Sequence, residues 1–204
     1  MLSFVPDEME DPAPYHLLTS VVAPRPIAWV STISADGVPN LAPYSFYNAV
    51  AGFPPTIMFS VSYRRREPKE KDTLRNVKAV GEFVSHIVDE AMATAMVQTA
   101  TEFDYGISEF EMAHLDTLAS VDVKPLRLAG AAVAMECKVT QIVPVEGATN
   151  VMVLGRVVRF HIRDDLYREN LGLVDTIRMK PITRLGGAVE YTKIGELFFP
   201  TASS

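Results

Sequence analysis

A single cysteine, Cys137, among 204 residues excludes an intramolecular disulfide and suits a reducing compartment. It sits in the alternating run AVAMECKVT and reads as a small core residue. The four histidines, His16, His86, His114 and His161, stand far apart with no metal-ligand spacing, so no metal is expected. The sequence also lacks GxSxG, HExxH, CxxC, a Walker loop and GxGxxG. Basic residues are outnumbered, 19 against 25 acidic ones, and the net charge of −6 argues against nucleic acid as the general partner. No apolar run approaches the ~20 residues a spanning helix needs. The opening MLSFVPDEMEDPAP has neither the basic nor the apolar region of a secretory signal, so no membrane association and a cytoplasmic location are expected. A reaction run mainly by protein side chains finds no support in these absences. Cofactor chemistry, in which the protein binds and orients, is the natural alternative.

What is present is a chain that is 48% hydrophobic, enough for a full core. Residues 1–14 are acidic and proline-bearing and read as an extended arm, leaving 15–204 as a single domain. In PRPIAWVSTIS (24–34), Ile27, Trp29, Ser31 and Ile33 point one way, and Ala28, Val30 and Thr32 the other. After the turn Ala35-Asp36-Gly37, VPNLAPYSFYNAV (38–50) reads as one extended segment made irregular by Pro39 and Pro43. TIMFSVS (56–62) and EFVSHIV (82–88) are further strands, and 131–145 with 151–162 form a long hairpin. Helices are predicted over 72–80, with Asp72 or Thr73 as cap, and over 89–100. Ser108 and Glu111 have capping-box spacing for a short one, and AVEYTKI (188–194) ends the pattern as a last strand. At least six strands with short helices between them, without βαβ alternation, fit a mainly β antiparallel barrel with peripheral helices.

Two groups of residues suit an anionic, ring-bearing cofactor. A phosphate needs a cation with hydroxyl or backbone donors, ideally at a helix N-terminus. Lys71, Thr73 and the first amides of the following helix are such a set, with Arg64, Arg65 and Arg66 close by in sequence. Asp72 stands among them and would repel phosphate. Its expected role is to cap the helix and hold the loop. A planar ring needs an apolar slot edged by hydrogen-bond partners. Ser45, Tyr47 and Asn48 alternate with Tyr44 and Phe46, and Ser31 and Thr32 place hydroxyls in a strand otherwise made for burial.

The ordered pieces PRPIAWVST, NLAPYSFYN, FS at 59–60, KDTLRN, EFVSHIV, SEFEMAHL, VKPLRLAGAAVAMECKV, GRVVRFHI and RLGGAVEY resemble the flavin reductase-like, FMN-binding split-barrel family from about Tyr15 to Tyr191. The resemblance implies a six-stranded antiparallel split β-barrel, with FMN at the interface of a homodimer. It places Ser31 and Thr32 near the flavin, and Ser45, Phe46, Tyr47 and Asn48 along its ring and ribityl chain. It also places Ser60 beside the ring and Lys71 with Thr73 on the phosphate. The family usually reads SFFN where this chain has SFYN. His161 matches a histidine that lies near the flavin in some members and is the one candidate catalytic side chain. Arg184, Gly186, Gly187 and Tyr191 match a tail read as structural. The function implied is an NAD(P)H-dependent flavin reductase, with NADH or NADPH as reductant. An FMN-binding electron carrier that makes little use of nicotinamide is the alternative. The stretch 101–114, with Phe103, Tyr105 and Phe110, is a candidate cover for the ring.

Overall fold

Alternation along a strand sends neighbouring side chains to opposite faces, and both faces of PRPIAWVSTIS carry apolar groups. Strand β1 (Ala28–Ile33) is accordingly buried almost throughout. Ala28 and Val30 face a core that includes Tyr44, Phe59, Val61, Phe83 and Val153. Ile27 and Trp29 join Leu41, Met96, Phe110 and Leu128 in a second cluster. The computed structural model describes residues 1–64, 69–187, 189–197 and 199–200. Arg65 and Arg66, and Ala188 of the expected last strand, lie outside the described residues.

The main sheet contains β1, β2 (Pro39–Tyr44), β3 (Tyr47–Gly52), β4 (Pro55–Ser62), β5 (Glu82–Ile87), β6 (Val133–Pro144) and β7 (Asn150–Ile162). Its order is β2-β1-β5-β6-β7-β4-β3, and every pairing is antiparallel. The sheet thus has seven strands where six were expected, because the single run predicted over 38–50 is two strands. Pro43 removes a ladder donor near the end of β2, and the chain leaves the sheet at Ser45-Phe46. β2 forms one edge of the sheet and β3 the other, yet only Ser45 and Phe46 separate them. With about 3.8 Å between successive Cα atoms, the two edges must meet there, so the sheet is curled into a barrel. The Ser60 amide donates to the Phe46 carbonyl at 2.8 Å and holds this crossing against β4. The fold is a mainly β split barrel, and the split lies at Ser45-Phe46.

Helix α2 (Asp72–Val80) fills the barrel end with Leu74 and Val77 and stops at Gly81, whose φ of 75° is the left-handed terminator a glycine accepts without strain. Asn76 Nδ2 donates to Thr32 Oγ1 at 3.0 Å and ties α2 to β1. The helix expected over 89–100 is a 3-10 turn, Glu90–Met92, followed by α3 (Ala93–Gln98). Asp89 accepts from the Met92 amide at the start of the turn. Ser108 does precede α4 (Glu109–Met112), but its hydroxyl caps nothing among the described residues. α3 and α4 cover the second cluster with Met96 and Phe110, and Trp29 Nε1 donates to Thr99 Oγ1 at 2.9 Å. The N-terminal segment is not extended: Pro6–Glu8 is a 3-10 turn and α1 runs over Ala13–Val21. Proline is tolerated in a first helical turn, where its missing N–H has no partner to lose, so Pro14 does not prevent α1. The last strand is Tyr191–Lys193, paired with Ile182–Arg184.

One buried polar side chain is part of the packing. His86 is fully buried. Its Nδ1–H donates to the Trp29 carbonyl at 2.9 Å, and its Nε2 accepts from the Leu128 amide at 2.9 Å, which requires the neutral ring. Burial pushes its pKa down to about 4. On β7, Gly155 lets the Phe83 ring sit where a Cβ would lie 2.3 Å from a ring carbon. Cys137 is fully buried in the barrel core.

Candidate functional site

The crossing at Ser45-Phe46 opens onto two adjoining cavities that share Pro43, Tyr44, Ser45, Arg64 and Lys71 as common wall. The smaller, ≈ 310 Å³, runs over the start of α2 and is lined by Asn40, Asp72, Thr73, Phe103 and Glu109 among others. The larger, ≈ 910 Å³, is lined by Tyr15, His16, Phe46, Ser60, Tyr63 and Asn150 among others.

The chemistry of the smaller cavity follows from how α2 begins. The first amides of a helix have no intrahelical acceptor, and in α2 the N-cap residue, Lys71, makes no side-chain cap to them. The expected capping role of Asp72 or Thr73 is therefore not found. Lys71 occupies the N-cap position in an extended conformation, where an acceptor side chain would ordinarily stand. Thr73 Oγ1 accepts from Asn40 Nδ2 at 3.0 Å, which leaves its own hydroxyl proton to donate. Asp72 would oppose an anion here, but Arg64 Nη2 donates to its Oδ1 at 2.8 Å and pairs its charge. Arg64 Nη1 donates to the Phe103 carbonyl at 2.8 Å, and Lys71 Nζ lies 4.0 Å from Glu102 Oε1. A cation, a hydroxyl and uncapped amides at the positive end of a helix make an anion-binding end.

Glu109, at the first position of α4, is 6% exposed and accepts from the Leu41 amide of edge strand β2 at 2.9 Å. Burial pushes its pKa up to about 7, although the Leu41 hydrogen bond opposes the shift. A carboxyl whose folded pKa lies above the ordinary ~4.3 favours folding fully below that value. Its contribution is lost as pH rises through about 7. Glu109→Gln, neutral at every pH, should therefore be more stable than the native chain at pH 8 by ~1–3 kcal/mol. It should give no gain at pH 4.5, as urea unfolding at the two pH values would show.

The structure brings only part of the predicted set to these cavities. Ser45, Phe46, Ser60, Lys71 and Thr73 line one or both. Ser31 and Thr32 are fully buried; Thr32 is occupied with Asn76, and the Ser31 hydroxyl has no partner among the described residues. Tyr47 packs against the barrel core, where burial pushes its phenol up to about 12. Asn48 is exposed on β3 and accepts from the next amide, that of Ala49, at 2.8 Å. His161 Nε2 lies 2.6 Å from the buried Glu136, outside both cavities. Glu136 also accepts from the Val121 and Asp122 amides. Burial opposes its ionisation, but these hydrogen bonds outweigh it and hold the carboxylate below its ordinary range. Within this chain His161 belongs to a cluster that fixes the 121–122 turn. Of the expected ring cover, Phe103 lines the smaller cavity, Tyr105 lies against the Arg75 guanidinium at 3.6 Å, and Phe110 is buried in the second cluster.

Sequence reasoning missed Asn40, Glu109, Tyr15 and His16, and read Arg184 and Tyr191, which line the smaller cavity, as mostly structural. Asn40 did open the NLAPYSFYN motif. Glu109 lay within SEFEMAHL, but nothing local gave it a role, because its position depends on α4 folding back over β2. Among the described residues no cluster of three or more metal-ligating side chains occurs. No helix among them is long and apolar enough to cross a membrane.

A split barrel with such a helix end inside its cleft has the charge and donors to accept an anionic ligand. Residues 21–181 match the flavin reductase like domain, and the chain belongs to that family of flavin-binding proteins. It is 40% identical over 197 residues, 95% of this chain and 92% of the relative, to an uncharacterised protein of Halalkalibacterium halodurans. Among solved structures it is similar to nitrilotriacetate monooxygenase component B from Bacillus cereus, with 38% identity, a TM-score of 0.93 and 98% of each chain covered. It is also similar to the 2-nitrobenzoate 2-nitroreductase NbaA of Pseudomonas fluorescens, with 30% identity and a TM-score of 0.87 over 99% of this chain and 96% of that one.

Proposed function

We propose that this chain is an FMN-binding oxidoreductase that reduces flavin with NADH or NADPH. The observation that carries the reading is the joined cleft, with an uncapped, Lys71-bearing helix start at one end and the Ser45-Phe46 crossing and Ser60 at the other. Lys71, the Thr73 hydroxyl and the first amides of α2 would hold the phosphate. Arg64 keeps Asp72 neutralised beside it. Tyr44 and Phe46 give apolar wall, and the Ser45 and Ser60 hydroxyls give hydrogen-bond partners for a polar ring edge. When bound, the flavin supplies the hydride- and electron-accepting centre; the chain binds, orients and shields it. Two relatives at 30% identity or more are named as a monooxygenase component and a nitroreductase, which supports an oxidoreductase.

The same reading includes a homodimer with FMN at the subunit interface. β3 is an exposed edge strand, and an unprotected edge with apolar neighbours is a surface that soluble proteins cover. Val50 on β3 and Phe53 just beyond its end are both exposed. The test is the absorption spectrum of the purified protein, followed by NADH and NADPH oxidation with FMN added. Flavin bands with rapid oxidation of either nucleotide are expected. Flavin bands with no oxidation of either would assign the electron-carrier role instead, and an inability to bind FMN would remove both.

A further inference from the structure

The larger cavity has a wall that the matched domain does not supply. That domain spans residues 21–181, whereas Tyr15 and His16, on α1, line the cavity opposite the Ser45-Phe46 crossing. Hydrophobic burial does not explain why α1 sits there. Tyr15, Leu18 and Val21 are about half exposed or more, and Thr19 is its one buried residue. The helix is instead held by a polar clamp. Arg25, 6% exposed, donates through Nη1 to the carbonyls of Thr19 and, at 2.7 Å, Val22. Its Nη2 donates to the Leu185 carbonyl at 2.9 Å. Gly186 adds a close approach: a Cβ there would lie 2.5 Å from the Ser20 hydroxyl. The same guanidinium stands 5.9 Å from the Phe46 ring. One arginine therefore fixes α1 to the C-terminal segment and sets both at the mouth of the cleft.

The result is that Tyr15 faces Phe46. Their ring centroids are 6.5 Å apart with planes inclined at 39°. This is the long end of the range for a direct aromatic pair, and both rings border the cavity. A loosely paired tyrosine on a polar-clamped helix is a poor stabilising contact. It is a good surface for a flat guest, because stacking requires a ring face and little rearrangement.

We propose that Tyr15, across from the Phe46 ring that borders the flavin in this reading, forms the aromatic wall that receives the planar ring of the second substrate. That is an aromatic or heteroaromatic ring, supplied either by a nicotinamide donor or by an aromatic acceptor. The inference rests on the flavin-reductase reading and deepens it. It also moves the cover of the ring end of the cleft from residues 101–114, which meet the smaller cavity, to α1.

The experiment uses the FMN-loaded protein and the variants Tyr15→Ala, Tyr15→Leu and Tyr15→Phe. It measures the Kd for FMN by flavin fluorescence, then KM for NADH, for riboflavin and for 2-nitrobenzoate as acceptors. Tyr15→Ala and Tyr15→Leu should raise at least one KM roughly tenfold, a single stacking contact's worth. The Kd for FMN should stay within about twofold, and Tyr15→Phe should restore the KM, because the ring and not the hydroxyl is needed. A rise confined to NADH assigns the wall to the donor ring, and one confined to an acceptor assigns it to the acceptor ring. Unchanged KM values in Tyr15→Ala and Tyr15→Leu, where the native protein binds FMN and oxidises NADH, would overturn the proposal and leave the reading intact. So would native behaviour of Tyr15→Leu, or a parallel loss of FMN affinity. Failure of the native chain itself to bind FMN or oxidise NADH would strike the underlying reading.

Discussion

Replacing Lys71 by alanine should weaken FMN binding roughly ten- to a hundredfold while leaving riboflavin binding almost unchanged. Riboflavin lacks the phosphate, so it measures the rest of the cleft. A charge-assisted contact to phosphate is worth ~1.5–3 kcal/mol, and the local geometry favours the upper part of that range. Lys71 stands at an uncapped helix start, so its ammonium adds to the positive end of the α2 dipole. Asp72 is paired with Arg64 and subtracts less than an unpaired carboxylate would. Thr73→Ala should cost less, ~0.5–1.5 kcal/mol, for one neutral hydrogen bond. The measurement is fluorescence titration of each variant with both flavins. Equal weakening of FMN and riboflavin by Lys71→Ala would show that Lys71 does not hold the phosphate.

The largest stability effect is expected at His86. His86→Leu keeps the apolar volume but strands two buried backbone groups, the Trp29 carbonyl and the Leu128 amide. Each buried group left without a partner costs ~1–3 kcal/mol, so the variant should lose ~2–6 kcal/mol. For a chain of this size that is a fall in Tm of roughly 10 °C. The pH dependence gives a second readout. The folded ring titrates at about 4 and the unfolded one at ~6.5, so the unfolded chain binds more protons between these values. The stability that the neutral ring contributes is present above pH ~6.5 and is lost as pH falls toward about 4, by up to ~3 kcal/mol. Glu109 acts in the opposite sense, disfavouring folding as pH rises through about 7. Urea unfolding of the native chain should therefore weaken on the acid side through His86, and His86→Leu should flatten that limb. A native acid limb unchanged in the variant would assign the loss to other groups.

Much of the framework was legible along the chain. β4, β5, α2 and the β6–β7 hairpin lie within about two residues of where alternation, helix periodicity and turn residues put them, and β1 lies inside the expected 24–34. Those signals are local: a strand's two faces and a helix's apolar stripe are set by residues two to four apart. Where reading failed, a distant contact had intervened. VPNLAPYSFYN shows no break between Tyr44 and Tyr47, yet the chain leaves one sheet edge and joins the other because Phe46 bonds Ser60. Ser108 has capping spacing, but its neighbour Glu109 is drawn to the Leu41 amide, a partner 68 residues away.

The candidate site divides in the same way. Lys71 and Thr73 were identifiable because the start of a helix is a local feature, and its anion affinity follows from backbone geometry alone. Ser31, Thr32, Tyr47, Asn48 and His161 have the right chemistry in the right motifs, but side-chain direction in a curled sheet depends on the curl. In this chain they meet α2, the core, solvent and Glu136. Tyr15, His16, Arg184 and Tyr191 come from the two ends of the chain and had no local mark of shared purpose. By itself the sequence determined a mainly β chain with a helix start fit to hold an anion, because both depend on neighbouring residues. Only the tertiary structure decided which residues line the cleft, because closing the barrel at Ser45-Phe46 and clamping the termini through Arg25 bring together groups that no sequence spacing relates.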